Sequence, residues 1–220
     1  MVLKFARALA AAALLGLAAA APAVAETAGN PRDRTLYVSA YASQWVDPNL
    51  LQMPGRLLTA DLEPRHAYFL GGGLGFVLVP RFEVPLPFCR GCALRGNSVE
   101  LEGVVLKHFD LQDHWEVAGG AFARTGQIPL FLGAALNLAA GGGLSYAFSD
   151  PNLEAGRSGV RGVDTYRLQF YLAFETELAH AAVPGWNLVG RLHHRSGAYG
   201  VLSEKGSGSN FVGLGLRRNF

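Results

Sequence analysis

Alternation of apolar and polar residues in steps of two is the feature that most restricts the fold of this chain. It is clearest at Leu168, Phe170, Leu172, Phe174 and Leu178, which alternate with Gln169, Tyr171, Glu175 and Glu177. Because successive side chains of a β-strand point to opposite faces, the segment is predicted to be a strand with one apolar face. Eight segments alternate in this way or run apolar: Thr35–Trp45, Ala67–Val79, Ser98–Phe109, His114–Arg124, Leu130–Phe148, Arg167–Ala179, Trp186–Ser196 and Ser209–Phe220.

The N-terminus has the pattern of a secretory signal peptide. Lys4 and Arg7 precede an apolar run over residues 8–20, and Ala23-Val24-Ala25 is a small-x-small cleavage site. We therefore expect residues 1–25 to be a signal peptide and residues 26–220 to form one domain. A retained membrane anchor is the alternative.

Charge gives no indication of a nucleic-acid partner. Removal of residues 1–25 takes away two of the 19 basic residues and none of the 17 acidic ones, so the remaining chain is neutral. Its most apolar stretch, residues 128–148, contains four glycines and would make a poor helix. An exported apolar chain without a helix span is either a soluble β-protein or a transmembrane β-barrel.

The last segment favours the barrel. Val212, Leu214 and Leu216 share a face with the terminal Phe220, while Arg217 lies on the opposite face. Apolar alternation that ends in a C-terminal phenylalanine resembles the closing strand of bacterial outer-membrane barrels. The predicted fold is an all-β, eight-stranded antiparallel up-and-down transmembrane barrel, located in the outer membrane.

A narrow barrel must pair the charges that it turns inward. The polar faces of the last three segments carry Glu175, Glu177, Arg191, His193, Arg195 and Arg217. We expect them to form a packed ionic network and not a pore. The glycine runs at residues 71–75 and 141–143 are interpreted as close-packing or bending positions, because no helix follows them as phosphate binding requires.

With both termini in the periplasm, residues 47–66, 149–165 and 197–208 would be external loops. Residues 125–129 and 180–185 would be short periplasmic turns, whereas the connection Pro80–Asn97 is unusually long for that side. It contains the two cysteines, Cys89 and Cys92. This pair is compatible with a small disulfide, a redox site or half of a zinc site. His108 and His114 flank a turn and are interpreted as solvated.

Near the C-terminus, His194 and Ser196 would share one face of a strand, and His193 and Arg195 the other. Residues Arg191–Gly200 and Ser209–Leu216 resemble the end of PagL-type lipid A 3-O-deacylases. The segments Val99–Gly103 and His114–Val117 are similar to divergent members of that family. The resemblance implies an outer-membrane serine esterase that removes a 3-hydroxyacyl chain from lipid A, without a metal or cofactor.

Carried over by position, the resemblance makes His194 the general base and Ser196 the nucleophile, both facing lipid. The family's glutamate, about a dozen residues after the serine, has no counterpart within residues 206–210. Glu204 is the candidate acid, and Asn210 could orient the histidine as a neutral substitute. Gly197 replaces the family's asparagine, so Gly197 and Asn210 are the candidates for contacts to substrate or oxyanion. A non-catalytic barrel with a structural or lipid-binding role is the alternative function.

Overall fold

The computed structural model describes residues 35–89, 91–155, 166–198, 201–202 and 207–220. Eight long strands, one two-residue strand and two short helices are found in those ranges. Their bounds are β1 Leu36–Val46, α1 Met53–Thr59, β2 Pro64–Pro85, β3 Ala93–Asp110, β4 Trp115–Arg124, β5 Ile128–Pro129, β6 Ala134–Ala147, α2 Asn152–Ala155, β7 Leu168–His180, β8 Trp186–Ser196 and β9 Gly208–Asn219.

The strands form one antiparallel sheet that closes on itself. The order is β4-β3-β2-β1-β9-β8-β7-β6-β5, and a further β4–β6 pairing completes the ring. Each long strand is paired with its neighbours along the chain, and β1 closes against β9 from Tyr37↔Asn219 to Trp45↔Phe211. The predicted eight-stranded up-and-down barrel is confirmed, and closure leaves no long strand with an open edge.

The two faces of the wall follow the predicted alternation. On β7, Glu175 and Glu177 are buried in the lumen, while Phe174 and Leu178 on the outside are exposed. On β9, Arg217 is buried inward, and Leu214 is exposed outward. The outward row therefore gives the barrel the apolar exterior that a lipid environment favours.

One connection differs from the prediction. The sequence suggested a long loop at Pro80–Asn97, but β2 and β3 continue through most of it, with Val84 paired to Leu94. The ladder shifts register at three places between Val77 and Val84, and Pro80 lies in this bulged stretch. A bulge accommodates a proline that lacks an N–H, and it also breaks the two-residue alternation. Cys89 and Cys92 are joined as a disulfide in the turn that remains.

Ionic side chains fill the lumen toward the end of the barrel where β1 begins and β9 ends. Arg217 donates to Glu175 and Glu177 at 2.9 Å each, and Arg191 donates to Glu175 at 2.6 Å. Arg124 donates to the same two glutamates at 2.7 and 2.6 Å. Of the six predicted members, Glu175, Glu177, Arg191 and Arg217 are joined in this network, whereas His193 and Arg195 contact Glu116 and Glu154 elsewhere in the lumen. Three members had not been recognised as partners from sequence: Arg124, Glu100 and Glu102.

The glycine runs make room for aromatic rings inside the barrel. A Cβ at Gly75 would overlap the ring of Tyr37, and one at Gly141 would overlap the ring of Phe122. Both glycines stand where a neighbouring strand turns a large side chain inward. This close packing agrees with the interpretation of the runs as positions where no side chain fits.

Four connections lie at the end of the barrel opposite the first residue of β1 and the last residue of β9, which we call the long-loop end. They join β1 to β2, β3 to β4, β6 to β7 and β8 to β9. Helix α2 turns Glu154 into the lumen there, where Arg195 and Ser209 donate to Glu154 at 2.7 and 2.8 Å. Within the described ranges, no helix is long and apolar enough to cross a membrane.

Candidate active site on the outer face of strand β8

The last residues of β8 divide between the two sides of the wall. His193 contacts Glu116 in the lumen at 3.0 Å, and Arg195 donates to Glu154. His194 and Ser196 therefore project from the outer face, at the long-loop end. The predicted division of this stretch by face is confirmed.

His194 is held by the neighbouring strand β9. It is paired with Asn210 in the sheet, and its Nδ1 lies 2.5 Å from Asn210 Oδ1 and 3.1 Å from the carbonyl oxygen of Ser209. Both partners are acceptors, so the proton of a neutral imidazole belongs on Nδ1. The lone pair then lies on Nε2, as a histidine that takes a proton from a serine requires.

Ser196 lies two residues further along the same face. Its side chain is half-buried, and its Oγ accepts a hydrogen bond from the backbone N–H of Ala198 at 3.1 Å. Strand geometry separates the Cβ atoms of His194 and Ser196 by roughly 6–7 Å. When a substrate carbonyl carbon bonds to Ser196 Oγ, the oxyanion forms next to that oxygen. The Ala198 N–H, which already donates to Ser196 Oγ, is then within reach of the oxyanion.

The site is covered, contrary to the expectation that it faces lipid openly. His194 is only 8% exposed, and residues 47–63 lie against the outside of β1, β9 and β8. The Nδ2 of Asn210 donates to the carbonyl oxygen of Pro48 at 2.6 Å. Met53 of α1 packs against Val46 and Leu192 on the barrel wall. We call residues 47–63 the cover loop.

Local sequence explains the fold of the cover loop. Asn49 and Gln52 exchange side-chain to backbone hydrogen bonds ahead of α1, and a proline stands in the first turn, where its missing N–H is not needed. The short helix carries an apolar residue on each side, and the structure buries Met53 against the barrel wall and leaves Leu58 90% exposed.

The remaining predicted residues are placed as follows. Glu204 falls in residues 203–206, outside the described residues. Gly197 is buried, and its carbonyl oxygen accepts from the N–H of Leu202 at 3.1 Å. Asn210 uses both ends of its carboxamide, toward His194 and Pro48. This geometry favours the orienting role of Asn210 over a contact to the oxyanion.

A histidine cluster was not expected. His108 and His114 are not solvated but are 0% and 3% exposed inside the barrel, with rings stacked at 4.2 Å. Burial, together with the nearby His108, lowers the pKa of His114, in the turn before β4, to about 3. The two histidines and Glu116 each offer a ligand atom within 4.8 Å of the others. The alternation of residues along the hairpin could have indicated this placement. His108, His114 and Glu116 have even numbers, as do Ala118 and Phe122, which face the lumen.

Comparison with known proteins gives the fold. No protein-family model and no curated protein matches the chain. Among solved structures, the outer-membrane enzyme PagL matches with a TM-score of 0.54 and 11% identity over 83% of this chain and 99% of that chain. Neisserial surface protein A matches with a TM-score of 0.46 and 14% identity, over 84% and 97%. The N-terminal β-barrel domain of Pseudomonas aeruginosa OprF gives 0.43 and 12%, over 85% and 98%. The likeness to PagL shows that the chain has the fold of a small outer-membrane β-barrel.

Proposed function

We propose that this chain is an outer-membrane serine esterase that removes an ester-linked 3-hydroxyacyl chain from lipid A. The observation that carries the proposal is the 2.5 Å contact of His194 Nδ1 with Asn210 Oδ1, on the same outward face as Ser196. It supplies a base in the required tautomer two strand positions from a hydroxyl nucleophile. The resemblance of residues 191–200 to PagL-type enzymes supports the same chemistry.

The proposed reaction has two stages. Ser196 Oγ attacks the ester carbonyl while its proton passes to His194 Nε2, and the Ala198 N–H lies near the developing oxyanion. The sugar oxygen leaves as an alcohol after it takes that proton, and an acyl-serine remains. Water, deprotonated by His194, then releases the 3-hydroxy fatty acid and restores Ser196.

Asn210 is the proposed orienting residue. An amide oxygen fixes the imidazole and its tautomer, but it carries no charge to stabilise the imidazolium that forms during attack. A Ser-His-Asn site is therefore expected to be slower than one with a carboxylate. Glu204 remains a candidate for the acid of the family pattern, from the external β8–β9 loop.

The location follows from the same proposal. The exposed apolar exterior fits a bilayer, and the long-loop end would face outward so that the site meets the outer leaflet of lipopolysaccharide. Residues 1–25 would be the cleaved signal peptide. Membrane fractionation with N-terminal sequencing tests both points, with Glu26 expected as the first residue of the mature protein.

Mass spectrometry of lipid A from cells with and without this protein tests the activity. Expression should remove one 3-hydroxyacyl group, and Ser196→Ala or His194→Ala should abolish that change, since loss of a triad member costs on the order of 10⁴–10⁶ in rate. Thr176→Ala is the matched control, because it removes an outward hydroxyl from β7 away from the site. An unchanged acyl pattern, with heat-modifiable gel mobility showing a folded barrel, would contradict the proposal.

A non-catalytic barrel is the second candidate, and one observation favours it. The cover loop leaves His194 8% exposed and binds Asn210 through the carbonyl of Pro48, so a lipid ester reaches the site only after the loop moves. If loosening the cover loop produces no ester hydrolysis, this second candidate is supported.

A further inference from the structure

The lumen holds a second group of chemically active side chains, unrelated to the proposed esterase site. His108 lies near the end of β3, His114 immediately before β4, and Glu116 on β4, all buried at the long-loop end. One ligand atom from each lies within 4.8 Å of the other two. Strand pairing brings them together across the turn of residues 111–114.

Two of these side chains have polar atoms that no described residue satisfies. Both ring nitrogens of His114 are buried without a hydrogen-bond partner, and so is Nδ1 of His108. The side-chain amide of Gln112, in the same turn, is buried and equally without a partner. Each unsatisfied buried group costs about 1–3 kcal/mol, so a structure that collects several of them at one point indicates an occupant.

We propose that His108, His114 and Glu116 bind a divalent transition-metal ion of the Zn²⁺ class. Two imidazoles and a carboxylate are ligands that zinc accepts, whereas magnesium and calcium prefer oxygen alone. Tetrahedral Zn²⁺ with bonds of about 2.0–2.1 Å needs ligand atoms roughly 3.3 Å apart. The two imidazole planes are only 11° apart, so the side chains must draw together and one ring must turn for both lone pairs to meet the ion. Tetrahedral coordination then needs a fourth ligand, which water would supply.

The surroundings of Glu116 suit a metal ligand. Ser145 donates to its Oε1 at 2.7 Å, and His193 Nε2 lies 3.0 Å from the same oxygen. These contacts orient the carboxylate and leave Oε2 on the side of His108, 2.9 Å from Nε2. Outer partners that fix a ligating carboxylate are a regular part of metal sites.

The nearby positive charge is already balanced. Arg195 Nε lies 3.9 Å from Glu116, but Arg195 donates to Glu154 at 2.7 Å. A bound ion would join β3 to β4 directly, and through Glu116 and His193 it would link them to β8. The expected effect is to brace the long-loop end of the lumen, on the opposite side of the wall from His194.

Zinc binding to the intact barrel tests the inference. The mature chain, without a polyhistidine tag, is folded in detergent, stripped with a chelator, incubated with Zn²⁺, desalted and measured for metal. About one equivalent per chain is expected, and His114→Gln should weaken binding at least tenfold, since even outer-shell changes cost 10–100-fold. His66→Gln is the matched control, because His66 is an exposed histidine at the same end.

Three results would overturn the inference: no stoichiometric zinc on the wild type, equal binding by His114→Gln, or an equal loss in His66→Gln. The first result would leave ordered water as the partner of the buried nitrogens. If His114→Gln fails to fold, X-ray absorption at the zinc edge of the wild type decides instead. Imidazole ligands are then required, and a spectrum with oxygen ligands alone rejects the site.

Discussion

At the scale of single residues, Asn210 determines how well the proposed esterase can work. Asn210→Ala removes the acceptor that holds His194 Nδ1 and should lower the rate of deacylation by about 100-fold, the lower range for a positioned base. Asn210→Asp restores a carboxylate beside the imidazole and should raise the rate above that of the wild type, because it stabilises the imidazolium. Initial rates on lipid A in detergent measure both.

Equal rates for Asn210→Ala and the wild type would show that another residue orients His194, and Glu204→Gln would then be the variant to compare. The Asp variant also loses the hydrogen bond to Pro48, so heat-modifiable mobility must show that both variants remain folded. A structural role alone would change this mobility or the unfolding midpoint and not the rate of the folded enzyme.

Individual residues also show how far sequence could lead. The alternation of strand faces correctly predicted that His194 and His193 point to opposite sides of the barrel wall, because the two-residue period is a property of the strand backbone. Asn210 could be named only as a candidate partner of His194, because their pairing depends on a strand register that no local sequence pattern specifies. For His108 and His114, the proximity of a turn suggested solvation, yet their inward parity placed them in the lumen.

At the scale of elements, helix α1 packs the cover loop against the barrel wall. Met53 is 1% exposed and packs on Leu192, so Met53→Ala should loosen the cover loop, since a buried methionine-to-alanine change costs about 2–5 kcal/mol. Tryptic cleavage after Arg56 should then accelerate roughly tenfold or more, because cleavage follows the population of the opened loop. The measurement is limited proteolysis in detergent, with fragments identified by mass.

Leu58→Ala is the control for this variant, since Leu58 belongs to the same helix but is 90% exposed. Its cleavage rate should match that of the wild type. Equal cleavage of Met53→Ala and Leu58→Ala would mean that the cover loop is not held by its contact with the wall. If the loop gates the esterase, Met53→Ala should also hydrolyse a soluble ester faster than the wild type.

The elements themselves were predictable to different degrees. Strands β7 and β9 follow a regular alternation, and their predicted segments agree with the structure to within two residues at each end. Strands β2 and β3 extend well beyond their predicted ends, because the register shifts around Pro80 break the period that identifies a strand. The packing of α1 depends on side chains of three other elements, which local sequence cannot supply.

At the scale of the whole molecule, a buried ionic network joins β3, β4, β7, β8 and β9 across the lumen. Arg217 lies between Glu175 and Glu177 and also stacks on Tyr37, with its guanidinium carbon 4.0 Å from the ring centre. The network could be anticipated in kind, since a narrow polar lumen must pair its charges. The full set of residues in the network could not be predicted, because Arg124, Glu100 and Glu102 lie on strands distant in sequence and meet the other members only when the barrel closes.

Arg217→Met should therefore destabilise the folded barrel by about 3–5 kcal/mol, since Glu175 and Glu177 each lose one of their buried guanidinium partners. Arg218→Met is the adjacent control, because Arg218 is outside the lumen and its exposed bond to the Pro184 carbonyl is worth about 1 kcal/mol or less. Urea unfolding followed by heat-modifiable mobility compares the two. Adding Glu175→Gln to Arg217→Met should recover part of the loss, because it removes one negative charge from a network in which the carboxylates then outnumber the guanidinium groups. Equal unfolding midpoints for the two single variants would mean that the lumen is wet enough to screen its charges and that closure of the sheet alone stabilises the barrel.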